Sequence, residues 1–141
     1  MKLAMKIFLD TNVLLDVFQE RQPYYDCSAQ IWSLSENRTL EAFISAISFN
    51  NIFYIMRKHS GKENAQRAME ILDANFSMIP MDKEVMHKAI ISQFPDFEDA
   101  IQLYSALSAK ADCIVTRDIK DFAQNLIPVL SPQMFLAQLI E

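Results

Sequence analysis

The sequence predicts an α/β fold, a three-layer α/β/α sandwich around a central parallel sheet of about five strands. Three observations predict it. Short apolar, β-branched runs alternate with longer segments of helical period, the pattern of successive βαβ units. The first and fourth of these runs stop abruptly at polar residues, as buried strands do at a sheet edge. No internal repeat, low-complexity tract or linker divides the 141 residues, and one domain commonly spans about 100–200 residues. Residues 1–141 therefore read as a single domain.

Lys6–Asp10 is the first predicted strand, compact and apolar until Asp10. Tyr24 to Asn37 follows with Cys27, Ile31, Trp32 and Leu34 at helical spacing. Ala42–Ser45 is the second strand. Phe49 to His59 carries Phe49, Ile52, Phe53 and Met56 on one face, read as core, and Gly61 stands where a helix terminates. Lys62 to Asn75 places Ala65, Ala68, Met69 and Leu72 together. Ser77–Met81 is the third strand, and Asp82 caps a helix running to about Gln93, before Pro95. Asp96 caps Phe97 to Ala111, which leads into the fourth strand, Cys113–Thr116. Asp118 and Asp121 suit the opening of a short helix over Ile119 to Gln124. Ile127–Leu130 is the fifth strand, and Ser131-Pro132 supplies a cap and a first-turn proline for a last helix ending near Ile140.

Composition narrows the function. The chain is 51% apolar and 22% charged, enough for a packed interior and unlike a disordered segment. No stretch approaches the roughly 18 apolar residues of a membrane span, and Lys6 and Asp10 interrupt the apolar start, so a soluble cytoplasmic protein with no membrane role is expected. Cys27 and Cys113 lack the spacing of a zinc knuckle and read as buried small apolar residues. Gly61 is the single glycine, whereas phosphate-cradling loops and dinucleotide turns need several. Walker-type NTPases and Rossmann dehydrogenases are excluded. The net charge of −5 argues against coating nucleic acid by bulk electrostatics.

In a parallel sheet with right-handed crossovers, the carboxyl ends of the strands share one edge, and sites collect there. Asp10 closes the first strand and Asp118 follows the fourth, with Asp121 three residues on. Asp96, Glu98 and Asp99 open the helix before that fourth strand, and spacing alone leaves open whether they reach the same edge. Two carboxylates about 4 Å apart repel by roughly 4 kcal/mol at an effective dielectric of 20. A convergent cluster must therefore bind protons or a hard cation, and an oxygen-only set without His or Cys favours Mg²⁺ or Mn²⁺. Each residue has a structural alternative. Asp10 and Asp96 suit helix caps, Glu98 and Asp99 suit a helix first turn, and Asp16 suits a solvated helix position. His59 and His87 read as surface residues. Arg57, Lys58 and His59, with Lys62 and Arg67, form the main basic concentration, read as a solvated helix end. Arg117, between Thr116 and Asp118, is the substrate-contact candidate.

The segment Ile7-Phe8-Leu9-Asp10-Thr11-Asn12-Val13-Leu14-Leu15-Asp16, followed by Phe97-Glu98-Asp99-Ala100 and Ile114-Val115-Thr116-Arg117-Asp118, resembles the PIN-domain family, which includes VapC-like ribonuclease toxins. The resemblance spans nearly the whole chain. It implies a Mg²⁺- or Mn²⁺-dependent nuclease acting on RNA, with Asp10, Asp99 and Asp118 as catalytic, metal-binding carboxylates. Asn12 and Thr116 would orient them by hydrogen bonds, and Asp121 would assist from outside the ligand set. The family usually has a further Glu early in the helix after the second strand, where this chain has Asn51. An amide brings oxygen without charge, so metal affinity and water activation are expected to be weaker. The toxin likeness also implies a small antitoxin as partner, and self-association through an apolar helix face to give a homodimer. The alternative is a catalytically weakened PIN-like module that binds RNA or protein. A phosphatase of the haloacid-dehalogenase type ranks last, because Asn12 stands where that chemistry uses a second Asp.

Overall fold

The computed structural model describes residues 4–122 and 126–140. Its elements follow the order β1 (Met5–Leu9), α1 (Thr11–Phe18), α2 (Tyr25–Glu36), β2 (Leu40–Ser45), α3 (Ala46–Ser60), α4 (Lys62–Asn75) and β3 (Ser77–Ile79). There follow α5 (Lys83–Ser92), α6 (Phe97–Ser108), β4 (Cys113–Val115), a 3-10 turn at Ile119–Phe122, β5 (Val129–Leu130) and α7 (Pro132–Ile140).

The five strands form one parallel sheet in the order β3-β2-β1-β4-β5. Chain order runs outward from β1 through β2 to β3, then resumes on the other side of β1 with β4 and β5. The switch point therefore lies between β1 and β4, where an open α/β sheet leaves a crevice beyond its strand ends.

Alternation along each strand divides the interior. Ile7, Leu9, Ala42, Ile44, Cys113 and Val115 face a core shared with residues from α1, α2, α3, α4 and α7. Phe8 and Ile114 point the other way, towards Leu103 and Ala106 of α6 and Phe122 of the 3-10 turn. Val85 and Ala89 of α5 pack with Ala100 and Ile101 of α6. In the larger core Trp32 meets Phe18 and Phe76 edge-on, at ring-centroid distances of 5.3 and 4.8 Å. Edge-to-face pairs of this kind add to the burial of the rings themselves.

The helices begin where short polar side chains take up free backbone N–H groups. Asp10 caps α1, Ser45 caps α3, Asp82 caps α5 and Asp96 caps α6. Gly61, at φ 87°, turns the chain between α3 and α4 in a region that L side chains seldom enter, and its N–H bonds to Arg57 O at 3.1 Å.

Several expected boundaries shift. The short turn after β2 is absent, because Ser45 both ends the strand and caps the helix, so α3 starts at Ala46 rather than Phe49. Residues Thr11–Phe18, assigned no element of their own from the spacing, form a helix in which Thr11, Val13, Leu14, Leu15 and Asp16 are buried. Asp10 lies just past β1 as the cap of α1, and β3, β4 and β5 are shorter than expected. The short helix after Asp118 is a 3-10 turn ending at Phe122, and its expected end at Gln124 lies outside the described residues. Cys113 is buried as expected, whereas Cys27 is half-exposed. No described helix is long and apolar enough to cross a membrane.

Candidate active site

The register of β1 on β4 sets Leu9 beside Val115, so the residues that leave the two strands, Asp10 and Thr116, emerge side by side at the switch point. Thr116 Oγ1 donates to Asp10 Oδ2 at 2.7 Å, and the Thr11 N–H donates to Asp10 Oδ1 at 2.7 Å. Asp10 is 7% exposed. It is thus fixed at both oxygens and largely stripped of water.

Asn12 joins the two strand ends. Its Nδ2 lies 3.3 Å from Asp10 Oδ2, 3.4 Å from Thr116 Oγ1 and 3.0 Å from Asp118 Oδ2, while its Oδ1 accepts from the Arg117 N–H at 3.3 Å. Thr116 Oγ1 also accepts the Asp118 N–H at 3.0 Å. One amide and one hydroxyl therefore hydrogen-bond to both carboxylate residues.

Opposite them stands the first turn of α6. Asp96, Glu98 and Asp99 border the same cavity of about 280 Å³ as Asp10, Asp118 and Asp121. The open question of which edge α6 begins at is answered by this convergence: six carboxylates surround one cleft at the switch point.

Their charges oppose one another. Burial first, then repulsion from Glu98 and Asp118, lifts the Asp10 carboxyl from 3.8 to about 6 against the pull of its hydrogen bonds. Burial followed by Asp96, Asp121, Asp10 and Glu98 lifts Asp99 to about 7. Burial and Asp96 also raise Glu98.

Does this donor set fit a divalent cation? Among the described residues no three His, Cys, Asp or Glu side chains are drawn into a ready-made metal cage. The oxygen-only donors and their unrelieved repulsion nevertheless suit a small hard ion that keeps part of its water shell and reaches some carboxylates through it. Zinc, which prefers close tetrahedral nitrogen and sulfur ligands, fits poorly. A larger recess of about 540 Å³ opens at the amino ends of the strands, between Ala4, Leu40 and Ser77. It has Arg38 beside Glu36 and Glu41 and lies on the sheet edge away from the switch point, so the smaller acidic cleft is the candidate site.

Under the cleft, buried polar groups tie three helices together. Gln102 Nε2 donates to Thr11 Oγ1 and Ser48 Oγ, each at 3.1 Å, and those two hydroxyls lie 2.7 Å apart. Helices α1, α3 and α6 thereby share a floor that holds the acidic rim in place. Sequence reading missed Ser48 and Gln102; their only signal was a polar side chain on an otherwise apolar helix face.

Two other expectations change. Arg117 faces Asp16, not open cleft: Nε donates to Oδ2 at 2.7 Å and Nη2 to Oδ1 at 3.0 Å, with the guanidinium 4.0 Å from the centre of the Tyr24 ring. Asp16, expected to be solvated, is wholly buried because this pair and Arg21, at 3.8 Å, replace its water. Asn51 does not line the acidic cleft; it borders an adjoining cavity with Thr11 and Glu98. His59 and His87 are exposed as expected.

A profile described as PIN domain matches residues 6–120. The chain belongs to the PIN-domain family. Among characterised relatives, ribonuclease VapC1 of Aquifex aeolicus (strain VF5) is 27% identical over 135 residues, which cover 92% of each chain. The solved structure of VapC20 from Mycobacterium tuberculosis, described as a sarcin-ricin loop cleaving toxin, superposes with a TM-score of 0.70 at 12% identity, covering 86% of this PIN domain and 96% of that chain. A chain of a toxin-antitoxin complex from Klebsiella pneumoniae gives a TM-score of 0.67 at 21% identity, covering 89% and 97%. At such identities the two structures establish a shared fold.

Proposed function

We propose that this PIN domain is a divalent-cation-dependent endoribonuclease and the toxin of a toxin-antitoxin pair. The observation that carries the reading is the set of six carboxylates around one cleft at the switch point, with Asp10 buried among them. The likeness to ribonuclease VapC1 along most of both chains supports RNA as the substrate class.

Asp10, Asp99 and Asp118 would hold Mg²⁺ or Mn²⁺. When bound, the ion supplies positive charge against the scissile phosphate and lowers the pKa of the attacking water. The chain's own residues do the rest. Thr116, Asn12 and the Thr11 N–H keep Asp10 and Asp118 aligned without rearrangement, which is what preorganised catalysis requires. One of the three carboxylates accepts the proton of the attacking water, and Asp121 adds negative charge beside Asp99. Arg117 supports the site by fixing the loop between Thr116 and Asp118 to α1 through Asp16, in place of the substrate contact first expected of it.

An antitoxin with a basic segment suits the acidic cleft, and the likeness to a chain from a toxin-antitoxin complex supports such a partner. Exposed Ile90 and Ile91 on α5 supply an apolar face for a homodimer.

The test is cleavage of a structured RNA by the full chain in Mn²⁺ and in EDTA, beside Asp10→Asn. Cleavage should need the cation and vanish in the variant, which should melt no lower than wild type because a neutral isostere replaces a buried charge. Undiminished cleavage by Asp10→Asn refutes the assignment. The second reading, a catalytically weakened RNA- or protein-binding module, is favoured by one observation, the amide at Asn51. RNA binding without cleavage in Mn²⁺ would select it.

A further inference from the structure

Helix α3 has two stripes of residues spaced four apart. Ser48, Ile52 and Met56 are buried against the rest of the molecule. Asn50, Tyr54 and Lys58 stand two positions on, roughly 200° around the helix, and all three are exposed. Tyr54 is 70% exposed.

A single exposed aromatic ring is ordinary on a protein surface. The setting of Tyr54 is not ordinary. It borders a cavity of about 390 Å³ together with the amides of Asn50 and Asn51, and that cavity adjoins the acidic cleft, because Thr11 and Glu98 border both. Its volume falls within the roughly 300–1,000 Å³ of small-molecule sites. Thr11, on the boundary between the two spaces, is held from below: its Oγ1 accepts from Gln102 Nε2 at 3.1 Å and lies 2.7 Å from Ser48 Oγ.

An aromatic face beside amide groups suits an unpaired nucleobase. Stacking accepts the face of any base, and an amide offers both a donor and an acceptor to the base edge that a single strand leaves free. The charge pattern along α3 agrees with this occupant. The acidic cleft repels phosphates in the absence of a cation, so RNA must gain affinity from groups beside it. Lys58 lies one turn beyond Tyr54, with Arg57 next to it in the last turn of α3. Along the axis Lys58 is about 12 Å from Asn50. Basic residues at a helix C-terminus also complement the helix dipole, but the alignment of Lys58 with Tyr54 places its charge where a strand stacked on the ring continues.

We propose that Asn50, Asn51 and Tyr54 form a subsite for an unpaired base of the RNA beside the scissile phosphate, with Tyr54 as stacking platform, the two amides on the base edge and Lys58 at a neighbouring phosphate. The inference rests on the ribonuclease reading above and assigns substrate binding to residues outside the carboxylate set.

Two measurements on the full chain test it. Fluorescence anisotropy in EDTA follows binding of a fluorescein-labelled single-stranded oligoribonucleotide, and steady-state cleavage of the same oligonucleotide in Mn²⁺ gives kcat and KM. Wild type is compared with Tyr54→Ala, Tyr54→Phe and Lys58→Gln, all at exposed positions where substitution seldom disturbs a fold. Tyr54→Ala should weaken binding about tenfold or more and raise KM correspondingly with kcat held, while Tyr54→Phe, which keeps the ring face, stays close to wild type. Lys58→Gln should reduce the slope of log affinity against log salt by about one. Wild-type affinity and KM in Tyr54→Ala overturn the proposal and leave the nuclease reading intact; a changed gel-filtration volume in that variant would then assign the face to contact between copies of the chain. Equal losses in Tyr54→Ala and Tyr54→Phe rule out stacking and also overturn it, and an unchanged salt slope in Lys58→Gln overturns the phosphate contact. Wild-type binding without cleavage, lost in Tyr54→Ala, upholds the subsite while the nuclease reading fails. A wild-type chain that neither binds nor cleaves the RNA removes both.

Discussion

Asp16 and Arg117 show how much a single pair carries in this molecule. Asp16 is wholly buried, and both its oxygens are held by the guanidinium of Arg117, which in turn stacks on Tyr24. Removing one partner of a buried pair strands the other, at a cost of about 3–5 kcal/mol. Arg117→Met should therefore lower unfolding stability by about 3 kcal/mol, measured by urea denaturation. Replacing both residues, Asp16→Leu with Arg117→Met, should recover much of that loss. An unchanged midpoint in Arg117→Met would show that water, and not Arg117, satisfies Asp16. At this scale the sequence was legible wherever a residue's position follows from its neighbours in the chain. Asp10, Asn12, Thr116 and Asp118 lie at strand ends, and the structure joins them by hydrogen bonds. The Asp16–Arg117 pair spans 101 positions, and no local pattern marks it. Arg117 stands at the right edge, but the direction of its side chain depends on α1, whose burial the sequence did not reveal.

Among the elements, α1, α3 and α6 bear on the site most directly, because Thr11, Ser48 and Gln102 meet beneath it. Thr11→Val keeps the β-branched shape and the N–H that holds Asp10, but deletes the hydroxyl shared by Ser48 and Gln102. Since Gln102 still reaches Ser48, the loss should stay near about 1–2 kcal/mol in urea denaturation, with Mn²⁺ affinity little changed. A large fall in affinity would mean that the buried hydroxyls act on the cation site directly. Helix existence was readable from apolar spacing and from caps such as Asp82 and Asp96, and α4 and α7 keep their expected limits. The boundaries that moved, at Ala46 and at the ends of β3, β4 and β5, depend on hydrogen bonds across strands and on Ser45 serving strand and helix together. Neither leaves a trace in periodicity. The position of α6 relative to the strand edge was open for the same reason: spacing says that a helix precedes β4, and only the packed sheet says which end of that helix meets Asp10.

For the whole molecule, the acidic cleft couples folding to pH and to cations. Asp10 and Asp99, lifted to about 6 and about 7, bind protons more tightly in the folded chain than the unfolded reference of 3.8 allows. Between those limits the folded state carries more protons than the unfolded state, so stability falls as pH rises. The contribution is complete below about pH 4 and is lost as pH passes through 6 and 7. For Asp10 alone a rise of about two units corresponds to about 3 kcal/mol, an upper figure because its neighbours titrate in the same range. The metal-free protein should then melt several degrees lower at pH 7.5 than at pH 5.5, and Asp10→Asn should show a smaller difference. A cation that binds the ionised cleft and not the unfolded chain reverses the trend by mass action. Saturating Mn²⁺ should raise the melting temperature strongly at pH 7.5 and weakly at pH 5.5, where protons compete for the same oxygens. Differential scanning calorimetry at the two pH values, with Mn²⁺ and with EDTA, reads both effects. A melting temperature in EDTA that holds level or rises from pH 5.5 to 7.5 would mean that these carboxylates do not repel one another in the folded chain, and the reason for a cation at the switch point would go with that repulsion.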